Sequence, residues 1–221
     1  MKYRELLQKA VYCVVDPLVD VMAKLGLTPN SITAAGFAGN LFAMCLFIAA
    51  AQSADRDERF FHLIGWGGGV ILFAGLFDMM DGRLARRCQM SSTFGALWDS
   101  VLDRYSELVT LFGICLVFLG IDRSWFPMGV ATFAAMVGSV MVSYVRARAE
   151  GLGIECKVGL MQRPERVVVT AVAALVTAFT QDLSWLAVGM VLIAVLANAT
   201  AFWRIAHCYK VLGNKGVEAE E

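Results

Sequence analysis

Histidine is scarce in this chain. Its two histidines, His62 and His207, fall at opposite ends of the apolar segments identified below and cannot share a metal ion. Its six cysteines, at positions 13, 45, 88, 115, 156 and 208, are scattered without a CxxC pair, so neither a zinc site nor a disulfide framework is supported, and helix packing is their expected use. Internal repeats and low-complexity linkers are missing too, so a single domain over residues 1–221 is expected. Charge is sparse: 17% of the 221 residues are charged and 58% are hydrophobic, against about 45–50% apolar in an average soluble domain. That much apolar surface must be covered by lipid or by neighbouring helices.

Runs of about 20 apolar residues suit a helix that crosses the hydrocarbon. Six are present, at 30–51, 64–86, 94–120, 125–148, 166–180 and 184–205. The expected fold is therefore an all-α integral membrane protein with a six-helix core over 28–212. Alternating the connections between two sides places 16 Lys and Arg on the side of both termini, the 87–93 turn and the 149–165 loop, and leaves Arg56, Arg59 and Arg123 on the other. By the positive-inside tendency both termini are cytoplasmic. The start, "MKYRELLQKAVYCVVDPLVDVMAKLGL", is interrupted by Glu5, Asp16 and Asp20. It lacks the continuous apolar core of a cleavable signal peptide and reads as an amphipathic segment over 1–27, lying on the cytoplasmic face and broken near Pro17.

Against this background the stretch "FDMMDGRLARRCQMSSTFGALWDSVLDRYSE", residues 77–107, is anomalous. Residues three and four apart share a helix face, so Asp78, Asp81, Gly82, Ala85 and Arg86 form a stripe at the end of the second crossing. Gly95, Asp99 and Asp103 form another at the start of the third. A turn of a few residues makes the two helices antiparallel neighbours, and four carboxylates converge. They would repel one another without a positive charge between them. Ligands that are all oxygen suit magnesium or manganese, and magnesium commonly shares its shell with substrate phosphates. Gly82, Ala85 and Gly95 leave helix surface bare for close approach, and Arg86 adds a cation. A cation transporter would also use acidic residues, but would place them deep in several helices, and spans such as "LVTLFGICLVFLG" are apolar.

The pattern D-x2-D-G-x2-A-R-x8-G-x3-D-x3-D, from Asp78 to Asp103, resembles the signature of the CDP-alcohol phosphotransferases. The six crossings and the "LTPNSIT" that leads into the first agree with it. The resemblance implies transfer from a CDP-activated donor to an alcohol with release of CMP, two Mg2+ or Mn2+ ions, and a homodimer. It implies that Asp78, Asp81 and Asp99 hold metal, and that Asp103 is the general base while also reaching metal. It further implies that Gly82, Ala85, Arg86 and Gly95 contact the nucleotide. Asn30 and Thr33 are further nucleotide candidates or cap residues of the first crossing.

A second stretch, "SYVRARAEGLGIECKVGLMQRPER", residues 143–166, gathers arginines near the same side, and Arg204 ends the sixth crossing at similar depth. Loop cations set topology, but arginines at the edge of an apolar span need partners, and a phosphate accepts the guanidinium fork. The stretch resembles the phosphatidylinositol phosphate synthase branch of the family, with Arg146 where that branch usually has lysine and Gln162 where it has an acid; archaeal synthases of the archaetidylinositol phosphate type share it. That resemblance implies CDP-diacylglycerol as donor, inositol phosphate as acceptor, and acceptor-phosphate contacts from Arg146, Arg166 and Arg204, with Arg148 beside them. Phosphatidylglycerophosphate synthesis is the alternative within the family.

Overall fold

In the computed structural model, residues 15–53 and 57–218 are described, the side chains beyond 213 excepted. They form helices joined by short connections, and among them there is no strand. A helix over 15–24 (α1) is followed by α2 (Pro29–Ala51), α3 (Glu58–Arg87), α4 (Thr93–Ile121), a 3-10 turn (Arg123–Trp125), α5 (Phe126–Gly151), α6 (Arg163–Thr180) and α7 (Ser184–Glu218).

Local chemistry fixes the helix starts. Thr28 caps α2 in a capping box with Ser31, and Pro29 occupies the first turn, where its missing N–H costs nothing. Asp57 caps α3 through the Phe60 N–H, and Ser92 caps α4 through the Gly95 N–H at 2.9 Å. Between α3 and α4, Gln89 takes a left-handed conformation (φ 55°) that lets the chain reverse within a few residues.

Five helices, α2, α3, α4, α5 and α7, are long and apolar enough to cross a membrane. Their outward faces carry large exposed apolar side chains, among them Phe42, Trp66, Phe133 and Phe202, as a lipid-facing surface would. The sixth expected crossing corresponds to α6, an 18-residue helix with Arg163, Glu165 and Arg166 at its start, and it is not among those five. It packs against α3 and α7. Small residues permit the approach: a Cβ at Gly68 of α3 would come within 2.9 Å of the Ala171 carbonyl oxygen of α6. The apolar core runs between the helices through Phe47, Ile64, Leu111, Phe118, Met190 and Ile193.

One boundary differs from the sequence reading. The last helix continues past 205 to Glu218, because nothing between Arg204 and Gly213 stops a helix once it leaves the apolar span. Residues 15–24 are helical with Pro17 in the first described turn, and the residues before 15, where the expected break near Pro17 would show, lie outside the described ones. Val15 and Val19 bury themselves against Ile32, Met80 and Leu84, while Asp16 pairs with Arg83 and Asp20 with Arg87, so packing and two ion pairs dock this helix onto α2 and α3. The first 14 residues of the expected interfacial segment lie outside the described residues. Of the cysteines, Cys45, Cys88, Cys115, Cys156 and Cys208 are free thiols.

Candidate active site

The Gln89 turn sets the end of α3 beside the start of α4 and brings their carboxylates together. One oxygen from each of Asp78, Asp99 and Asp103 lies within 4.8 Å of the others. Asp78 and Asp99 are half-buried, and the Asp103 side chain is 13% exposed. Three negative charges at this range need a cation, and the chain supplies one from a distant segment. Arg163, the first residue of α6, forks onto both oxygens of Asp78 and places Nη2 2.7 Å from Asp103 Oδ1.

Asp81 stands slightly apart from the other three. It is 5% exposed and accepts a hydrogen bond from the Thr33 hydroxyl of α2 at 2.6 Å. Its contact with the cluster is through a cavity of about 160 Å³ that it lines with Asp99. Asn30, Gly82, Ala85, Arg86 and Gly95 line the same cavity. All five expected nucleotide contacts thus share one concavity, floored by small residues and bounded by two of the aspartates.

On the other side of the cluster a cavity of about 250 Å³ is lined by Asp103, Arg146, Arg163, Arg166 and Arg204, with Gln162. These arginines are held in different ways. Arg166 is 1% exposed, gives two hydrogen bonds to the Glu107 carboxylate, and donates to the Met161 carbonyl at 2.9 Å. Arg204 is 2% exposed and donates to the Val158 and Val142 carbonyls at 2.8 and 2.7 Å. Arg146 is half-exposed and pairs with Glu150 one turn on, at 2.9 Å. Arg148 is exposed and does not line this cavity, because two residues along α5 from Arg146 it faces another direction.

A third cavity, about 330 Å³ and largely apolar, runs from Asp78 between α3, α4 and α6 past Ile71, Leu72, Gly75, Val167 and Val168. The carboxylates therefore stand where three chemically distinct spaces meet. One is small and lined with bare backbone, one is cationic, and one is apolar.

A sequence profile of the CDP-alcohol phosphatidyltransferases matches residues 26–203. The chain belongs to that family. It is 35% identical over 193 residues to the archaetidylinositol phosphate synthase of Pyrococcus horikoshii, covering 86% of this chain and 88% of the relative. It is 32% identical over 197 residues to the phosphatidylinositol phosphate synthase of Mycobacterium tuberculosis, covering 87% and 84%. The crystal structure of that M. tuberculosis synthase (PgsA1) with CDP-DAG bound superposes with a TM-score of 0.76 at 29% identity, covering 89% of this chain and 94% of PgsA1. Its structure in complex with manganese and citrate gives 0.77 at 29% identity, covering 88% of each chain. This chain is accordingly an all-helical, multi-pass membrane transferase.

The carboxylate cluster suits the divalent ion such an enzyme requires. Its donors are all oxygen, they come from two helices, and a single guanidinium, that of Arg163, pairs with two of the three carboxylates. The sequence groups Arg163 with Arg146, Arg148, Lys157 and Arg166 as an anion pocket, without its contact to the carboxylates, and it leaves Glu107 unassigned. Glu107 was within reach, since it continues the four-residue step from Asp99 and Asp103. For Arg163 no local pattern signals the pairing with Asp78, 85 positions away.

Proposed function

We propose that this protein transfers a phosphatidyl group from CDP-diacylglycerol to inositol phosphate, giving phosphatidylinositol phosphate and CMP. The observation that carries the reading is the placement of Asp103. It borders the cationic cavity, where an alcohol phosphate would lie, and belongs to the carboxylate cluster, where the donor's phosphates would lie.

In this reading the cytidine diphosphate occupies the cavity of Asn30, Gly82, Ala85, Arg86 and Gly95, and the acyl chains run along the apolar cavity beside Val167 and Val168. Asp78, Asp81, Asp99 and Asp103 hold Mg2+ or Mn2+, which when bound offsets the pyrophosphate charge and stabilises the departing CMP oxygen. Arg146, Arg166 and Arg204 receive the acceptor's phosphate, whose doubly charged oxygens match guanidinium donors. That contact turns a hydroxyl of the acceptor toward Asp103. Asp103 takes the hydroxyl proton as the oxygen attacks the phosphorus that bears the diacylglycerol, and the bond from that phosphorus to the CMP oxygen breaks. PgsA1, whose bound ligand is CDP-DAG, supports the donor. The two kinds of inositol phosphate synthase among the relatives support the acceptor.

The same reading includes six crossings, with α6 spanning as a short helix shielded by α3 and α7. It places both termini and the site on the cytoplasmic side, where the basic residues collect, with α1 on the membrane surface and the whole chain as one domain acting as a homodimer. The decisive assay supplies purified protein with CDP-diacylglycerol and, in turn, inositol phosphate, glycerol phosphate, serine and free inositol, and follows CMP release. Inositol phosphate should be used at least tenfold better than free inositol, since one charged hydrogen bond contributes about 1.5–3 kcal/mol. Equal use of the two would overturn the acceptor assignment, and preference for glycerol phosphate would make the enzyme a phosphatidylglycerophosphate synthase.

A further inference from the structure

Arg163 is shared by two sites. Its guanidinium engages both Asp78 oxygens and Asp103, yet the side chain also lines the cavity of Arg146, Arg166 and Arg204. Its Nε is buried with no hydrogen-bond partner. Arg166 and Arg204, in contrast, are tied in place by Glu107 and backbone carbonyls. Among the arginines lining this cavity, Arg163 alone bonds to the carboxylate cluster.

A divalent ion that uses Asp78 must take an oxygen Arg163 now holds, and a guanidinium left beside that ion would be repelled. The side chain can turn toward the neighbouring cavity. That space is already lined by four other arginines, Arg104, Arg146, Arg166 and Arg204, so the move is unfavourable until an anion is present to receive it. Resting on the proposed function, the geometry points to Arg163 as a positioning residue that couples the two sites: it leaves the carboxylates for the acceptor's phosphate, so that metal and acceptor phosphate each favour the other's binding. Such coupling is reciprocal. It would keep metal weakly held while no acceptor is present and complete the acceptor site only when the donor side is charged.

The test measures Mn2+ binding by the electron paramagnetic resonance of free Mn2+, using the full chain purified in detergent without nucleotide. Sulfate is the anion probe, at matched ionic strength in chloride. In the parent protein sulfate should tighten Mn2+ binding. Arg163→Gln should bind Mn2+ about three- to tenfold more tightly than the parent without sulfate, the return of one partly exposed charge-assisted contact. Sulfate should then add nothing. Arg163→Lys keeps the charge and loses the fork; it should show weaker coupling than the parent, and it carries the same test if Arg163→Gln does not fold. Unchanged or weaker Mn2+ affinity in Arg163→Gln, or a sulfate effect of undiminished size, would overturn the coupling. Asp78→Asn and Asp99→Asn separate this from the reading beneath it. If they bind Mn2+ as the parent does, the metal assignment itself fails; if they lose it while Arg163→Gln behaves as the parent, only the coupling fails.

Discussion

The two sides of the carboxylate cluster are built on opposite plans. The proposed nucleotide side comes from one contiguous helix hairpin plus the start of α2, its walls include the small residues Gly82, Ala85, Gly95 and Ala96, and it holds a single cation, Arg86. The proposed acceptor side draws on α4, α5, α6, α7 and the loop before α6, and two of its cations are buried and held by groups far away in sequence, Arg166 by the Glu107 carboxylate and Arg204 by backbone carbonyls. On the proposed function the first would recognise by leaving room, and a long flexible donor would be accommodated at little cost in stability. The second would recognise by fixed charge, and the fixing uses a buried carboxylate and three backbone carbonyls. A defect on the acceptor side should therefore damage the fold as well as the chemistry, whereas a defect on the nucleotide side should affect binding alone.

The sharpest break lies between the two sides, at Asp103. Asp103→Asn removes the proton acceptor, so CMP release should fall on the order of 10²–10⁴-fold, while binding of CDP-diacylglycerol stays measurable by equilibrium titration. Normal turnover in a folded Asp103→Asn protein would take Asp103 out of the mechanism.

The next tests the claim that the acceptor side is a structural commitment. Arg166→Met strands Glu107, 9% exposed, without its partner, and breaking a buried pair in this way costs about 3–5 kcal/mol. The melting temperature in detergent should drop sharply. The double change Glu107→Leu with Arg166→Met should restore most of it, because a packed apolar pair replaces the ions. Activity toward inositol phosphate should not return. If both properties recovered together, Arg166 would be a structural residue only.

The same contrast explains what could be read from residues alone. The nucleotide side was legible because helical periodicity converts a contiguous motif directly into a surface: Asp78, Asp81, Gly82, Ala85 and Arg86 needed only the four-residue repeat. Thr33 was noticed as a cap residue, but its bond to Asp81 spans 48 positions and no local pattern announces it. Arg163 and Asp78 are 85 positions apart, and Arg166 and Glu107 are 59 apart. Which arginine meets which acid depends on how α6 docks between α3 and α7, and that docking is set by small residues such as Gly68 and Gly189 whose partners lie in another helix. Length and hydropathy found five helices cleanly; they blurred at α6, where functional charge replaces the apolar residues that mark a span.

Arg146 is the acceptor-side residue that should escape the structural rule. It is 43% exposed and its ion pair with Glu150 lies within one helix, an arrangement worth at most a few tenths of a kcal/mol. Arg146→Ala should leave the melting temperature within a degree or two of the parent, by the usual scaling of small stability changes. It should nevertheless raise the KM for inositol phosphate roughly tenfold, the lower end for a charged hydrogen bond because water competes for the site. An unchanged KM would exclude Arg146 from the acceptor site.

The smallest effect belongs to the nucleotide side, and Gly82 shows why. A Cβ there would meet only the Arg86 guanidinium, at 3.6 Å, an ordinary contact with the flexible end of a side chain. The helix should gain slightly from Gly82→Ala, since glycine is about 1 kcal/mol worse than alanine in a helix interior. The cavity, at about 160 Å³, has little volume to lose. One methyl placed against the bound nucleotide should cost about 1 kcal/mol, or roughly fivefold in the KM for CDP-diacylglycerol, with the KM for inositol phosphate unmoved. A protein that is as stable as the parent or more so, yet binds its donor less well, is the signature of a surface kept bare for a ligand. Were Gly82→Ala instead to melt early and bind CDP-diacylglycerol normally, the glycine would serve helix packing, and the two sides of the site would not differ in the way their residues indicate.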